Sequence, residues 1–132
     1  MPRLTPQQTG QAQPVAELPL KFIEFAPDSL ALADRGKQDL LAQVVPALKQ
    51  TPGLYLRVEG SAAQLPGDSD AQQEQFARDR ARAVISFLIA QGVDPNRLIE
   101  GTLKPQYPHS TKEAELGQDR KVVFTLVQLG GR

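Results

Sequence analysis

The sequence predicts one α/β domain of the α+β kind, a two-layer sandwich in which helices cover a four-stranded mixed sheet. Three observations lead there. Short runs of β-type or alternating residues are separated by longer runs with helical spacing, in the order strand, helix, strand, helix, strand, short helix, strand. The chain has 132 residues, enough to bury one core without staples, and no Cys to supply any. Its 40% hydrophobic and 23% charged residues are ordinary for a globular domain, and no apolar run approaches the ~18 residues of a membrane span.

Residues 1–19 are rich in Pro and Gln and lack any period, which predicts a disordered or extended linker ahead of a domain over 20–132. Leu20, Phe22, Ile23 and Phe25 form a short β-rich run that Pro27, Asp28 and Ser29 close with turn chemistry. Leu40, Leu41, Val44, Val45 and Leu48 then recur at helical spacing after Asp34, a possible cap. Pro46 should kink or break that helix. Leu54, Leu56 and Val58 alternate with Tyr55, Arg57 and Glu59 as a half-buried strand, and Gly60 ends it. The loop from Ser61 to Ser69 leads to a cap at Ser69 or Asp70, and Ala77, Ala81, Val84, Ile85 and Leu88 stripe a long helix closed by Gly92. Arg97 to Leu103 reads as a third strand, Thr111 to Leu116 as one or two helical turns, and Lys121 to Leu129 as the last strand before a frayed Gly130-Gly131-Arg132 tail.

Charge narrows the function classes. The 15 Lys and Arg balance the 15 Asp and Glu, so no global field draws in nucleic acid or an anionic membrane. The basic cluster Arg78, Arg80 and Arg82 is interrupted by Asp79 and has no interleaved aromatics, which fits a solvated helix face better than a nucleic-acid patch. His109 is the only histidine, so no metal site and no cofactor are expected. No nucleophile-elbow motif supports a Ser-His-Asp set, so the chain is expected not to be an enzyme. Residues 1–10 lack the apolar stretch of a signal peptide, and membrane association is expected only through segments absent from this chain.

Val58-Glu59-Gly60, a loop, and Phe76-Ala77-Arg78-Asp79-Arg80-Ala81-Arg82-Ala83-Val84 together resemble the pattern of the OmpA/MotB C-terminal family: strand, G-H-T-D, loop, N-x-x-L-S-x-x-R-A-x-x-V. Ser86 to Leu98 with Gly101 resemble its next stretch, Gln118-Asp119-Arg120-Lys121-Val122 its N-R-R-V, and Phe25 to Ser29 with Leu32 its first strand and turn. The resemblance implies the OmpA-like β-α-β-α-β-(α)-β fold, a periplasmic place in the cell envelope, and non-covalent capture of peptidoglycan through the zwitterionic end of diaminopimelate. Such a ligand asks for a carboxylate to receive its ammonium and a guanidinium to clamp its carboxylate. Carried over by position, the family arginine falls on Arg80 and the family acid falls on Ala63. Ser61 and Ala62 stand where the family has His and Thr, Gln73 where it has Asn, and Ala77 where it has Ser, while the loop is longer.

Two readings follow. In the first, the scaffold is kept and the main ligand acid is lost, leaving weak or no peptidoglycan binding and an interaction or structural role among other envelope proteins. In the second, peptidoglycan is still bound through Arg80 together with a loop acid, Asp68 or Asp70, with Gln73 and Arg120 bordering the site. Each residue also has a plainer role available. Asp68-Ser69-Asp70 is what helix capping alone selects, Arg80 reads equally as a half-exposed helix residue whose stem covers apolar surface, and Arg120 reads as the partner of a nearby carboxylate.

Overall fold

In a computed structural model, which describes residues 12–14 and 20–129, the chain folds as β1 (Ala12–Pro14), β2 (Phe22–Glu24), helix α1 (residues 34–50), β3 (Tyr55–Gly60), helix α2 (Asp70–Ala90), a 3₁₀ turn (Pro95–Arg97), β4 (Leu98–Thr102), helix α3 (Glu113–Gln118) and β5 (Lys121–Leu129). The expected linker falls largely outside the described residues. The part inside them, Ala12–Pro14, is an antiparallel strand on Val127–Leu129 of β5. The expected frayed tail after Leu129 also lies outside them.

The sheet is mixed and four positions wide. β5 pairs antiparallel with β3, and β4 adds to β3 in parallel. The remaining edge of β5 carries β2 at Lys121–Val123 and β1 at Val127–Leu129, end to end. The register sets Leu56 opposite Leu126 and Val58 opposite Phe124. These residues share one core with Leu40, Val44 and Leu48 of α1 and Ala81, Val84 and Leu88 of α2, so both long helices cover the same face. Leu40, Leu48, Leu56 and Leu88 are fully buried, each contributing about 2 kcal/mol of transfer free energy.

Next to Pro46 the α-helical pattern of α1 is interrupted locally, without a gap in the helix. The helix runs as Asp34–Asp39, a π-helical stretch at Leu40–Val44, and Val45–Gln50. Proline has no N–H to donate and crowds the carbonyl four residues earlier, and the wider π spacing just before it accommodates both defects. Asp34 is the first helical residue and not the cap, which is Ala33 without a side-chain bond.

Helix α2 lies directly against the end of β3. A Cβ on Gly60 would stand 1.9 Å from the carbonyl oxygen of Ala77 and 3.0 Å from the amide nitrogen of Ala81. Gly60 is the last residue of β3, as expected, and only a hydrogen fits beneath the helix there, where the small residues Ala77 and Ala81 complete the contact. At the other end of the helix Gly92, at φ +94°, supplies the left-handed turn expected after it.

Candidate functional site

Helix α2 begins with a capping box: the Ser69 hydroxyl accepts from Gln72 N (3.1 Å) and Gln72 Oε1 accepts from Ser69 N (2.8 Å). Along the helix that follows, Gln73, Ala77, Arg80, Ala81, Val84 and Leu88 are buried on the inner face. Arg80 is the one cation in that stripe. It is 1% exposed, not half-exposed. Its Nε donates to Ser29 O (3.1 Å), Nη1 to Ser61 O (3.2 Å) and Nη2 to Ala26 O (3.2 Å). The guanidinium carbon lies 4.7 Å from the ring centre of Phe76 and 5.2 Å from that of Phe25. Burial, helped by repulsion from Arg120 and opposed by Asp28, pulls its pKa down to about 10, so it remains cationic at neutral pH. Arg80 thus ties the β2–α1 turn and the loop after β3 to α2.

That loop is cross-linked by its own side chains. Gln64, 1% exposed, donates through Nε2 to Asp68 O (3.2 Å) and Asp70 Oδ1 (2.8 Å). Asp68 Oδ2 accepts from Leu65 N (3.0 Å), and Gln73 Nε2 donates to Ala62 O (2.9 Å). The Pro-Tyr-Pro-His segment docks on the same loop. His109 N donates to Gln64 O (2.8 Å) and its Nδ1 to Leu65 O (3.1 Å). Behind it the buried carboxylate of Asp119 accepts from Gln106 N (2.7 Å) and Tyr107 N (3.0 Å).

Beside Arg80 these segments leave a concavity of ≈ 170 Å³. Of the residues singled out from the sequence, it brings together Arg80, Ala63, Gln73, Asp68 and Arg120. Asp70 is set apart: its bond to Gln64 turns it toward a neighbouring concavity of ≈ 380 Å³, shared with Glu74 and Lys104. Pro66 and Gly67 stand out in solvent. Arg120 forms an ion pair with Glu113, and that hydrogen bond holds the Glu113 carboxyl below its ordinary value. Arg78 pairs with Glu74 (3.3 Å) and Arg82 with Glu100 (2.7 Å) on the outer face of α2.

The sequence reading missed Asp28 and Phe76 in this lining. Asp28 was assigned only turn chemistry, and its φ of +52° does place it in a tight turn. Phe76 is half-buried against Arg80, and Phe22 is 44% exposed under Lys121, although their apolar rings alone suggest core positions. Their one sequence signal is spacing, since Phe76 precedes Arg80 by one helical turn. The residues from which a Ser-His-Asp set could be written, Ser110, His109 and Asp119, are engaged separately: Ser110 with Glu115, His109 with Leu65 O and Asp119 with backbone N–H groups. Among the described residues no cluster of His, Asp or Glu could hold a metal ion, and no helix is long and apolar enough to cross a membrane.

No curated protein sequence matches the chain. Solved structures do. The chain is similar to the peptidoglycan-associated lipoprotein from Burkholderia pseudomallei, with 21% identity, TM-score 0.72, and coverage of 81% of this chain and 90% of that one. It is also similar to the OmpA-like domain of FopA1 from Francisella tularensis subsp. tularensis SCHU S4 (19% identity, TM-score 0.68, 82% and 71%). A third likeness is to the C-terminal domain of Helicobacter pylori MotB (19% identity, TM-score 0.66, 81% and 84%). These likenesses speak for the fold. The sequence profile of the OmpA family matches residues 24–117, from β2 through most of α3. The chain therefore belongs to the OmpA family.

Proposed function

We propose that the chain is a non-enzymatic, periplasmic OmpA-like module of the cell envelope whose peptidoglycan affinity is weak or absent and whose main role is interaction or structure. The family and the likeness to a peptidoglycan-associated lipoprotein and to MotB support a cell-envelope setting. The observation that carries the weak-binding reading is Ala63, a half-buried methyl in the lining beside Arg80, at the position that the family pattern gives to an acid. A zwitterionic ligand whose carboxylate meets the guanidinium would turn its ammonium toward that methyl. A charge-assisted hydrogen bond contributes about 1.5–3 kcal/mol, so its loss weakens capture roughly 10- to 100-fold. Arg80 is also committed to three backbone carbonyls, which leaves little of it for a ligand. Incubating the purified domain with isolated sacculi tests this: most of the protein should stay in the supernatant, whereas retention comparable to a peptidoglycan-anchoring relative would overturn the reading.

One observation favours the second reading. Asp68 lies in the same lining as Arg80, so peptidoglycan binding through that pair, with Gln73 and Arg120 at the border, is the competing mechanism. Retention on sacculi that Asp68→Ala removes would establish it.

A further inference from the structure

Strand β2 stands at the rim of the sheet. Phe25 N donates to Arg120 O (2.8 Å) and Phe124 N to Lys21 O (2.9 Å), so residues 21, 23 and 25 turn their backbone groups toward β5. Alternation then turns the N–H and C=O groups of Phe22 and Glu24 outward, and among the described residues β5 is the one strand that pairs with β2. These outward groups are a template for a further strand. Space for one is present, since β2 and the start of α1 leave a concavity of ≈ 450 Å³ whose lining includes Phe22, Glu24, Arg35 and Asp39. Phe22 is 44% exposed, and Lys121 Nζ lies 5.5 Å from its ring centre. Ile23 between Phe22 and Glu24 is in the core, so those two side chains share the sheet face away from the helices.

We propose that this edge binds a second copy of the chain, β2 against β2, antiparallel about a two-fold axis at Ile23. The strand is complementary to its own reverse. With Ile23 facing Ile23 of the second copy, each Phe22 faces a Glu24, and these are the hydrogen-bonded pairs, four backbone bonds in all. On the outer face the Glu24 carboxylate of each copy comes beside the Phe22 ring of the other, over which Lys121 already lies, so the two charges meet in two equivalent rows. The interface is small, and the expected dissociation constant is on the order of 1 mM. The pairing gives the interaction role a named partner and is independent of the concavity beside Arg80.

Amide shifts and ¹⁵N relaxation of the whole chain, recorded from about 0.05 to about 2 mM, either side of the expected constant, test the proposal. The tumbling time of the wild type should lengthen with concentration, with shifts centred on residues 21–25 and 35–39. Glu24→Pro removes an outward N–H and spares the bonds to β5, so it should abolish the concentration dependence. Glu24→Gln keeps the N–H and should weaken pairing only about three-fold. Glu24→Lys sets two cations side by side and should abolish pairing without a proline, which decides the matter if Glu24→Pro does not fold. A wild type that tumbles as a monomer at every concentration overturns the proposal. So does self-association that survives Glu24→Pro or Glu24→Lys, or whose shifts fall on β4 or α2. None of these results alters the weak-binding reading, which sacculi test separately.

Discussion

The two ends of helix α2 solve different problems. Its C-terminal half presents Ala81, Val84 and Leu88 to the sheet, all fully buried, with Ala77 and Ala81 so close to β3 that position 60 admits no side chain. Its N-terminal part presents Gln73 and Arg80 to loops, and their contacts there are largely hydrogen bonds to backbone carbonyls, beside the rings of Phe25 and Phe76. Close packing leaves the first end almost no freedom. The second end tolerates exchange, because one polar pairing can replace another at small net cost. That difference fits the proposal that the OmpA fold is kept while residues beside Arg80 depart from the family pattern.

The comparison breaks most directly at Gly60. Gly60→Ala should destabilise the domain by about 3 kcal/mol or more, because the obstacle is the backbone of α2 and no side chain can yield. Urea denaturation measures it, and a loss under about 1 kcal/mol would mean that the helix can lift off the strand. Arg80→Met comes next. It removes a donor from the carbonyls of Ala26, Ser29 and Ser61, of which Ala26 O keeps Ser29 N, and should cost about 2–4 kcal/mol. Arg80→Lys should recover only part of this, since one ammonium cannot span three acceptors. Asp119→Asn should cost about 1–3 kcal/mol, because an amide cannot accept from both Gln106 N and Tyr107 N, and amide exchange should quicken in that loop first.

The smallest effect is on pH dependence. Arg120 holds the Glu113 carboxyl below its ordinary value, so this pair's contribution is complete above that value and disappears as pH falls through the lowered one. Glu113→Gln should therefore lower stability slightly at neutral pH and flatten the acid limb of a melting-temperature profile. Arg80, with its pKa at about 10, adds no slope there.

The fold was legible because packing speaks through spacing. The alternation from Leu54 to Glu59, the stripe from Ala77 to Leu88 and the run from Lys121 to Leu129 marked β3, α2 and β5, and tertiary contacts only moved the ends of weaker elements. The β1 pairing could not be read: three residues of no β-propensity are held by the free edge of β5, a long-range partner. The candidate site was half legible. Motif position gave Arg80, Gln73 and Arg120. It could not show that Arg80 anchors backbone, that Asp70 turns to Gln64, or that Asp28 arrives from a turn far away in sequence, since such contacts depend on how loops meet.

The central claim is that the module lacks its ligand acid at position 63 and keeps the scaffold for it. Titration calorimetry of the wild type, Ala63→Asp and Ala63→Asp/Arg80→Lys with a diaminopimelate-containing muropeptide addresses it directly. Ala63→Asp should strengthen binding by about 1.5–3 kcal/mol over a weak or undetectable wild type, and the second substitution should cancel the gain. Tight binding by the wild type, with no gain from Ala63→Asp, would contradict the account.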